Sequence, residues 1–345
     1  MPTRISVAMA TYNGEKYLRE QLDSLAKQTA LPYELVVCDD GSKDGTVQII
    51  REFAATAPFP VNIHINETNL GYSDNFLKAA RLCQGDWIAF CDQDDVWMPR
   101  KFERVTQTIR SQADHELMLI GHTSLVANDR LEPTGQRLPN FQRDSRDKRA
   151  SNFGYFCIVG FSMIFRNKLI NEIDATLRPR IHRENASVPP GHDQWIGLLA
   201  NALGDMAFIS EPLAIWRRHE NSLTRPPGPM KWMGEVRIAK TALTPEPYIL
   251  LGNMAKETAE CLKNIADNVP ISITKRRLHV ASKSFSKLAN NAFLRGNLYA
   301  QQSRMSKIWV FAKLLKTNAY TGPKISSLGW KSLLKDIAFT VGAIH

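Results

Sequence analysis

The first hundred residues alternate short apolar runs with segments in which apolar residues recur at helical spacing. Each apolar run is four or five residues long, which is typical of a buried strand. Leu18, Leu22 and Leu25 show the helical spacing, since such positions share one helix face. Strands that alternate with helices in this way predict a parallel sheet covered by helices on both faces. The predicted order is strand 5–9, a helix around 18–25, strand 34–38, helix 46–54, strand 61–65, helix 75–82 and strand 87–90.

The pattern becomes less regular in the second hundred residues. Residues 129–150 are polar and contain Pro133, Gly135 and Pro139, so we expect a mobile loop there. A strand over 156–165, a loop over 178–191 and a helix over 195–203 are predicted next. The Pro-Pro-Gly-Pro run at 226–229 is the clearest linker, and a helical, basic pattern follows it. We therefore predict a catalytic domain over 1–225, with halves of about 1–100 and 101–225, a linker over 226–230 and a helical region over 231–345.

Polar clusters directly follow three of the four strands predicted in the first hundred residues. Thr11 and Tyr12 follow the first strand, Asp39 and Asp40 the second, and an Asp92-Gln93-Asp94-Asp95 run the fourth. Ligands of parallel sheets bind beyond the carboxyl ends of the strands. The sequence therefore predicts a binding site at this edge of the sheet.

Composition places the chain among globular proteins. Its 345 residues are 43% hydrophobic and 23% charged, which suits roughly two domains and excludes a disordered chain, a collagen-like fibre or a disulfide scaffold. We expect no transmembrane helix, because no apolar run approaches about 18 residues. The N-terminus lacks the pattern of a signal peptide, so we expect a cytoplasmic protein. The five cysteines form no CxxC pair, which predicts buried thiols and no zinc site.

Charge divides the chain into two unlike parts. Residues 1–228 carry a net charge of −2, whereas residues 229–345 carry +12. No acidic residue occurs between Asn268 and Lys335. The function of the near-neutral domain and the function of the basic tail therefore have to be interpreted separately.

The acidic run after the fourth strand suggests a cation site. Alternate residues of extended chain point the same way, so Asp92 and Asp94 can converge on one hard cation. Mg²⁺ or Mn²⁺ prefers carboxylate oxygens and commonly bridges to substrate phosphates. An acidic surface turn is the alternative interpretation.

Asp39 and Asp40 suggest hydrogen bonding to a ribose or a base. The alternative is a glycine-containing turn that leads into a helix capped by Asp44 or Thr46. The spacing fits neither a P-loop nor the GxGxxG motif of dinucleotide-binding proteins.

Two further clusters lie in the later part of the chain. In His192-Asp193-Gln194-Trp195, Asp193 is a candidate general base, because shielding by Trp195 would raise the pKa of its carboxyl. The alternative is that Asp193 caps a helix. In Arg217-Arg218-His219, the arginines suit phosphate oxygens and a neutral imidazole can complete a metal site. A solvated basic turn is the alternative for this second cluster.

As a set and in this order, these motifs resemble family 2 glycosyltransferases, which have the GT-A fold. The resemblance covers about residues 4–225, roughly two thirds of the chain. It implies an α/β nucleotide-sugar-binding fold with a mostly parallel sheet between helices and a basic helical extension. The matching segments are 10–14, 21–25, 28–29, 39–42, 44–46, 69–71, 75–76, 92–97, Gly160, 163–166, 192–195 and 216–219.

The resemblance also implies roles for individual residues. Asp193 matches the acceptor-side base of inverting members. Mn²⁺ or Mg²⁺ is the implied cofactor, and its implied ligands are Asp92, Asp94 and His219. Contacts to the nucleotide sugar are implied for Thr11, Tyr12, Asp39, Asp40, Asp92, Arg217 and Arg218.

The implied reaction is an inverting transfer from a nucleoside-diphosphate sugar to an acceptor hydroxyl. Several motif variants resemble bacterial enzymes that build surface polysaccharides, including rhamnosyltransferases of O-antigen type. The implied donor is dTDP-rhamnose or a UDP-sugar, and the implied acceptor is a glycan or a lipid-linked saccharide.

The basic tail permits two interpretations. Residues 270–345 hold thirteen Lys or Arg residues, one acidic residue and many interleaved aromatic and aliphatic side chains. Segments 305–316 and 328–339 can form helices with an apolar and a Lys-rich face, as in helices that lie on anionic membranes. This favours a protein on the inner face of the cell membrane. The alternative is a helical subdomain packed on the catalytic domain.

Three other functions compete with the transferase. The first is a nucleotide-sugar-binding scaffold without catalysis, which the presence of Asp92, Asp94 and Asp193 disfavours. The second is a nucleotidyltransferase of the same fold, which would need a glycine-rich basic loop after the first strand. The third is a nucleic-acid-binding tail, which charge permits but no motif supports; we expect no nucleic-acid partner.

Overall fold

The computed structural model describes residues 3–112, 115–152, 158–173, 177–183, 186–220, 243–270, 272–321, 324 and 326–344. The strands are β1 (Ile5–Thr11), β2 (Glu34–Asp39), β3 (Val61–Ile65), β4 (Trp87–Cys91), β5 (Val96–Trp97), β6 (Leu117–Ala127), β7 (Pro133–Arg137), β8 (Ser145–Asp147), β9 (Met163–Arg166), β10 (Ile181–Arg183), β11 (Ala186–Val188) and β12 (Asp205–Arg217). The helices are α1 (Glu15–Ala26), α2 (Thr46–Ala54), α3 (Tyr72–Leu82), α4 (Lys101–Ser111), α5 (Lys168–Asn171), α6 (His192–Leu203), α7 (Glu246–Asn268), α8 (Ile273–Ala300), α9 (Arg304–Lys316) and α10 (Trp330–Val341).

One mixed sheet runs through the molecule in the order β3-β2-β1-β4-β9-β6-β12-β5. β1, β2, β3 and β4 are parallel neighbours, so their carboxyl ends meet at one edge. β9 lies antiparallel between β4 and β6. The predicted α/β fold is confirmed, and its parallel part is the part that the alternating pattern predicted.

Side chains of successive strand residues enter two separate cores. In β1, Val7 and Met9 pack with α1, α2 and α4, whereas Ala8 packs on the opposite face. That opposite face is covered by α3, α6, α7 and α8. This alternation is what a strand buried on both faces requires.

Three predicted loop or strand boundaries differ from the structure. Residues 129–150, expected to be a loop, contain β7 and β8, which pair with β6 and β12. Where a strand was expected over 156–165, a short 3₁₀ turn at Gly160–Ser162 precedes β9. The expected loop over 178–191 contains the hairpin β10–β11. These strands are three to five residues long, too short to show an alternating pattern.

The helical tail shares a core with the sheet. Leu251 of α7 and Leu278 of α8 are buried in the same cluster as Val36 and Phe90. Arg277 adds polar links, because it binds Glu116 at 2.7 Å and donates to the carbonyl of Leu203 at 2.6 Å. The predicted linker at 226–230 lies outside the described residues. Within the described ranges, no helix has the length and apolar character needed to span a bilayer.

A buried ion pair ties the tail helices together. Arg295 of α8 and Asp336 of α10 are both fully buried, with 2.8 Å between Nε and the Oδ2 atom. Tyr299 and Tyr320 each donate a hydroxyl hydrogen bond to the same carboxylate. The only acidic residue of the segment 270–345 is therefore enclosed by a guanidinium and two phenols.

Candidate functional site

The loops after β1 and β4 are joined by a single side-chain amide. The Oε1 atom of Gln93 accepts from the backbone N–H of Tyr12 at 2.9 Å, and its Nε2 donates to the Tyr12 carbonyl at 3.1 Å. A Cβ atom on Gly14 would lie 2.3 Å from the Gln93 Oε1, so a larger residue at position 14 would push this amide away. The Tyr12 ring, predicted to contact a base, remains half-exposed at the mouth of the site.

Asp39 holds the loop after β2. Its buried carboxylate accepts from the Thr11 hydroxyl at 2.8 Å and from the Ser42 hydroxyl and backbone N–H at 2.6 and 2.8 Å. Thr11 is itself buried, so this pair joins the ends of β1 and β2 inside the molecule.

Asp40 performs the same task for the loop before α3. Its carboxylate accepts from the backbone N–H groups of Leu70 and Gly71 at 2.8 and 2.9 Å, and from the Asn66 amide at 2.8 Å. Gly71 has a φ of +80°, which favours glycine at this turn. The structure therefore uses Asp39 and Asp40 to fix the loops, and their predicted contacts to a nucleotide stay predictions.

Carboxylates gather at the carboxyl edge of the sheet, where Asp92, Asp94 and Asp95 follow β4. Burial, together with the charges of Asp94 and Asp193, raises the pKa of Asp92 well above the usual range. Burial and the charges of Asp94 and Asp92 raise the pKa of Asp95 as well. Like charges held together in this way attract a cation, because a cation relieves their mutual repulsion.

The chemistry of this cluster fits the predicted divalent ion. The Nε2 atom of His219 lies 2.8 Å from the Oδ2 atom of Asp94, although the two residues are far apart in sequence. Carboxylate oxygen and imidazole nitrogen are both ligands of Mn²⁺, and Mg²⁺ prefers the oxygens. Within the described residues, no three His, Cys, Asp or Glu side chains are already close enough to form a complete metal site.

Arg217 packs against the acidic run of residues 92–95. It is buried, and its Nε donates to the Asp94 carbonyl at 2.8 Å while its backbone N–H donates to the Asp95 carboxylate at 3.0 Å. Its Nη2 atom pairs with Glu20. These contacts make Arg217 a positioning residue for Asp94, and its predicted contact to a diphosphate stays a prediction.

Arg218 is the better placed of the two arginines. Its guanidinium is partly exposed, lies 4.5 Å from the centre of the Trp216 ring, and is attracted by Asp94 and Asp95. A cation at this position suits an anionic ligand that arrives beside the carboxylates.

Asp193 stands in the first turn of α6. Its Oδ1 atom accepts from the Gln194 backbone N–H at 2.8 Å, and the Gln194 side chain in turn accepts from the Gly191 N–H at 3.0 Å. Burial raises the pKa of Asp193 to about 6, although backbone N–H groups oppose this shift. A carboxylate with a pKa so close to neutrality is suited to take up a proton.

Several residues around the site escaped sequence reasoning. Tyr72 of α3 lies near enough for Asp193 and Asp92 to raise its pKa, after the larger effect of burial. Lys101 is fully buried below the acidic run, donates to the Phe161 carbonyl at 2.8 Å and stacks on Trp97. Nothing in the sequence around Lys101, at the start of α4, indicates that it is buried. Gln93, in contrast, lies inside the acidic run of residues 92–95 that the sequence analysis recognised.

The sequence of this chain is similar to those of known glycosyltransferases. The glycosyl transferase family 2 model matches residues 6–173. An uncharacterized protein of Mycobacterium tuberculosis is 38% identical over 224 residues, which are 64% of this chain and 60% of that protein. The Escherichia coli protein named UDP-Glc:α-D-GlcNAc-diphosphoundecaprenol β-1,3-glucosyltransferase WfgD is 26% identical over 182 residues, 52% of this chain and 66% of its own. The match therefore spans about 60% of the length of the mycobacterial relative.

Solved structures show the same fold. Residues 1–349 of S. aureus TarS in complex with UDP superpose with a TM-score of 0.54 at 17% identity, covering 93% of each chain. The fold expected from the sequence resemblance is confirmed by this likeness.

Proposed function

We propose that this chain is an inverting, metal-dependent glycosyltransferase of family 2, the family whose model matches residues 6–173. It would move a sugar from a nucleoside-diphosphate donor to the hydroxyl of a glycan or lipid-linked acceptor. The observation that supports this proposal most is the 2.8 Å contact between Asp94 and His219, beside two carboxylates with a raised pKa, Asp92 and Asp193.

Residues of the chain itself would remove the proton of the acceptor hydroxyl and hold the loops of the site in position. Asp193 takes the proton of the acceptor hydroxyl, and the oxygen forms a bond to the anomeric carbon. The bond from that carbon to the diphosphate oxygen breaks, and its electron pair leaves with the nucleoside diphosphate. Gln93 and Arg217 hold the loops that carry Tyr12 and Asp94.

A bound Mn²⁺ or Mg²⁺ would neutralise the charge that develops on the departing diphosphate. Asp92, Asp94 and His219 are the residues that would hold it. Arg218 is placed to help with the same negative charge.

The donor we propose is a UDP-sugar or dTDP-rhamnose. TarS supports the first, since it was solved with UDP. WfgD is named for an acceptor on diphosphoundecaprenol, which supports a lipid-linked acceptor and bacterial polysaccharide synthesis for this chain. A lipid-linked acceptor keeps the reaction at a membrane, so we propose a cytoplasmic protein peripheral to the inner face of the cell membrane.

The second candidate is a nucleotide-sugar-binding scaffold without catalysis. Such a protein would keep the loops held by Asp39 and Asp40 but would have no use for an Asp193 with a raised pKa. A test of donor binding alone does not separate the two, whereas a transfer assay does.

The first experiment is a thermal titration of the full chain with UDP and dTDP, each with and without Mn²⁺ or Mg²⁺. A ligand at one hundred times its Kd stabilises a fold by about 2.7 kcal/mol, so we expect a clear rise in Tm with one nucleotide and metal together. AMP with the same metal is the matched control. A folded protein whose Tm responds to no diphosphate and no metal contradicts the proposal.

Transfer should also depend on pH in a way that an ordinary carboxyl would not produce. Asp193 acts as a base only when it is ionised, so at saturating donor and Mn²⁺ we expect kcat to fall about tenfold per pH unit below about pH 6. An unshifted aspartate would keep the rate constant down to about pH 4. Circular dichroism at each pH shows whether the fold persists, and a flat profile through pH 6 contradicts the raised pKa.

A further inference from the structure

Helix α9 is apolar on two opposite faces. Val310 and Leu314 are buried in the core shared with α8, as the packed face of a surface helix should be. The opposite face is also apolar but lies in solvent, and Trp309 on it is 60% exposed. Its exposed large side chains are Met305, Ile308, Trp309 and Leu315.

Helix α10 repeats this arrangement. Asp336 and Phe339 face inwards, where they contact Arg295 and Tyr299 of α8. The exposed apolar residues recur at i, i+4, i+7 and i+11, which places them on one helix face. They are Trp330, Leu334, Ile337 and Val341, and Trp330 is 65% exposed.

Two contacts hold α9 and α10 in place. The Arg295–Asp336 ion pair fixes α10 on α8, and the ammonium of Lys307 of α9 lies 3.9 Å from the centre of the Phe339 ring. We call the eight exposed apolar residues of α9 and α10, with the cations around them, the apolar-basic face. Exposed apolar stripes of this kind mark interaction surfaces.

The charge around the apolar-basic face has one sign only. Its exposed cations are Arg304, Lys313, Lys316, Lys324 and Lys331. The single acidic side chain of residues 270–345 is Asp336, and it is fully buried. Within residues 270–345, an anionic surface would therefore meet cations without meeting an exposed carboxylate side chain.

We propose that the apolar-basic face docks on an anionic lipid bilayer, with Trp309 and Trp330 in the interfacial layer. Tryptophan beside lysine around an apolar stripe is the composition of a helix that lies in the membrane interface. A second copy of the chain fits less well, because a symmetric contact would set lysines against lysines with no acidic side chain to pair with them. The inference rests on the proposed function only in that the docked enzyme would meet a lipid-linked acceptor.

The test is co-sedimentation of the full chain with vesicles, measured without donor. We expect binding to vesicles of phosphatidylcholine mixed with phosphatidylglycerol, and little binding to phosphatidylcholine alone. The double variant Trp309→Ser, Trp330→Ser should bind the mixed vesicles at least about tenfold more weakly. Lys313→Gln with Lys316→Gln should weaken binding about thirtyfold, since each lysine near an anionic surface contributes about fivefold.

Control variants make comparable changes elsewhere on the surface. Leu31→Ser with Leu138→Ser removes two exposed apolar side chains, and Lys27→Gln with Lys256→Gln removes two exposed charges. Both controls should bind like the unmodified chain. Equal binding by the tryptophan variant overturns the proposal, as does tryptophan-dependent dimerisation in sedimentation equilibrium without vesicle binding. Binding to polynucleotide but not to vesicles also overturns it, and none of these outcomes alters the nucleotide titration that tests the transferase.

Discussion

Asp193→Asn should lower kcat for sugar transfer by about 10²- to 10⁴-fold, the contribution that a positioned general base makes. The amide keeps the size of the side chain, and its oxygen can still accept from the Gln194 N–H. It has no lone pair basic enough to take the proton of an acceptor hydroxyl. Because burial disfavours the charged carboxylate, the variant should be at least as stable as the unmodified chain.

The measurement is transfer of labelled sugar to acceptor under single-turnover conditions, beside donor affinity from the thermal titration. Donor affinity should change little, since Asp193 belongs to α6 and not to the loops held by Asp39 and Asp40. Asp23→Asn on α1 is the matched control, because it makes the same chemical change away from the acidic cluster. Unchanged turnover in Asp193→Asn would remove this residue as the base.

Asp336→Asn should lower the free energy of unfolding by about 3–5 kcal/mol, as expected when one partner of a buried ion pair is removed. The guanidinium of Arg295 would then be left charged and fully buried, and the hydroxyls of Tyr299 and Tyr320 would lose their anionic acceptor. Urea unfolding followed by circular dichroism measures the change.

Asp267→Asn is the matched control for this loss of charge. Asp267 pairs with Lys263 on the exposed surface of α7, where such pairs contribute about 0–1 kcal/mol. Replacing both members of the buried pair, Arg295→Met with Asp336→Leu, should recover much of the stability because no unpaired charge remains. A loss below about 1 kcal/mol in Asp336→Asn would show that the tail helices do not depend on this pair.

The parallel part of the fold was predictable because each strand of the first hundred residues is short, apolar and followed by a helical repeat. The mixed part was not. β6 is buried along almost its whole length and β12 over much of it, so neither shows an alternating pattern that reveals strand direction. β9 has only four residues, and its antiparallel position between β4 and β6 depends on long-range packing.

The candidate site also has a part that was predictable from the sequence and a part that was not. Asp92, Asp94, Asp193 and His219 came from motifs, and the structure brings Asp94 and His219 together. The contacts of Arg217 were not predictable, because Glu20 and Asp94 lie far from it in sequence and only the tertiary fold places them around its guanidinium. Residue type indicated a phosphate contact, which stays a prediction, whereas the burial of Arg217 against Asp94 and Glu20 came only from the structure.

In the tail, the sequence showed the helical period of α9 and α10 but did not show which face of each helix is buried. A helix with apolar residues on opposite sides, such as Leu314 and Met305 of α9, gives no hydrophobic asymmetry from which to choose. The sequence left packing on the catalytic domain and binding to a membrane as alternatives. The structure combines the first with a surface suited to the second.

The enclosure of Asp336 has an electrical consequence. Residues 1–228 carry −2 and residues 229–345 carry +12, while α7 and α8 cover only one face of the sheet. The molecule is therefore an electric dipole, and within residues 270–345 of its positive part the single acidic side chain, Asp336, is buried. In the field of a negatively charged surface, such a dipole experiences a torque before any contact is made. The protein would approach with its tail helices leading, so that orientation precedes binding.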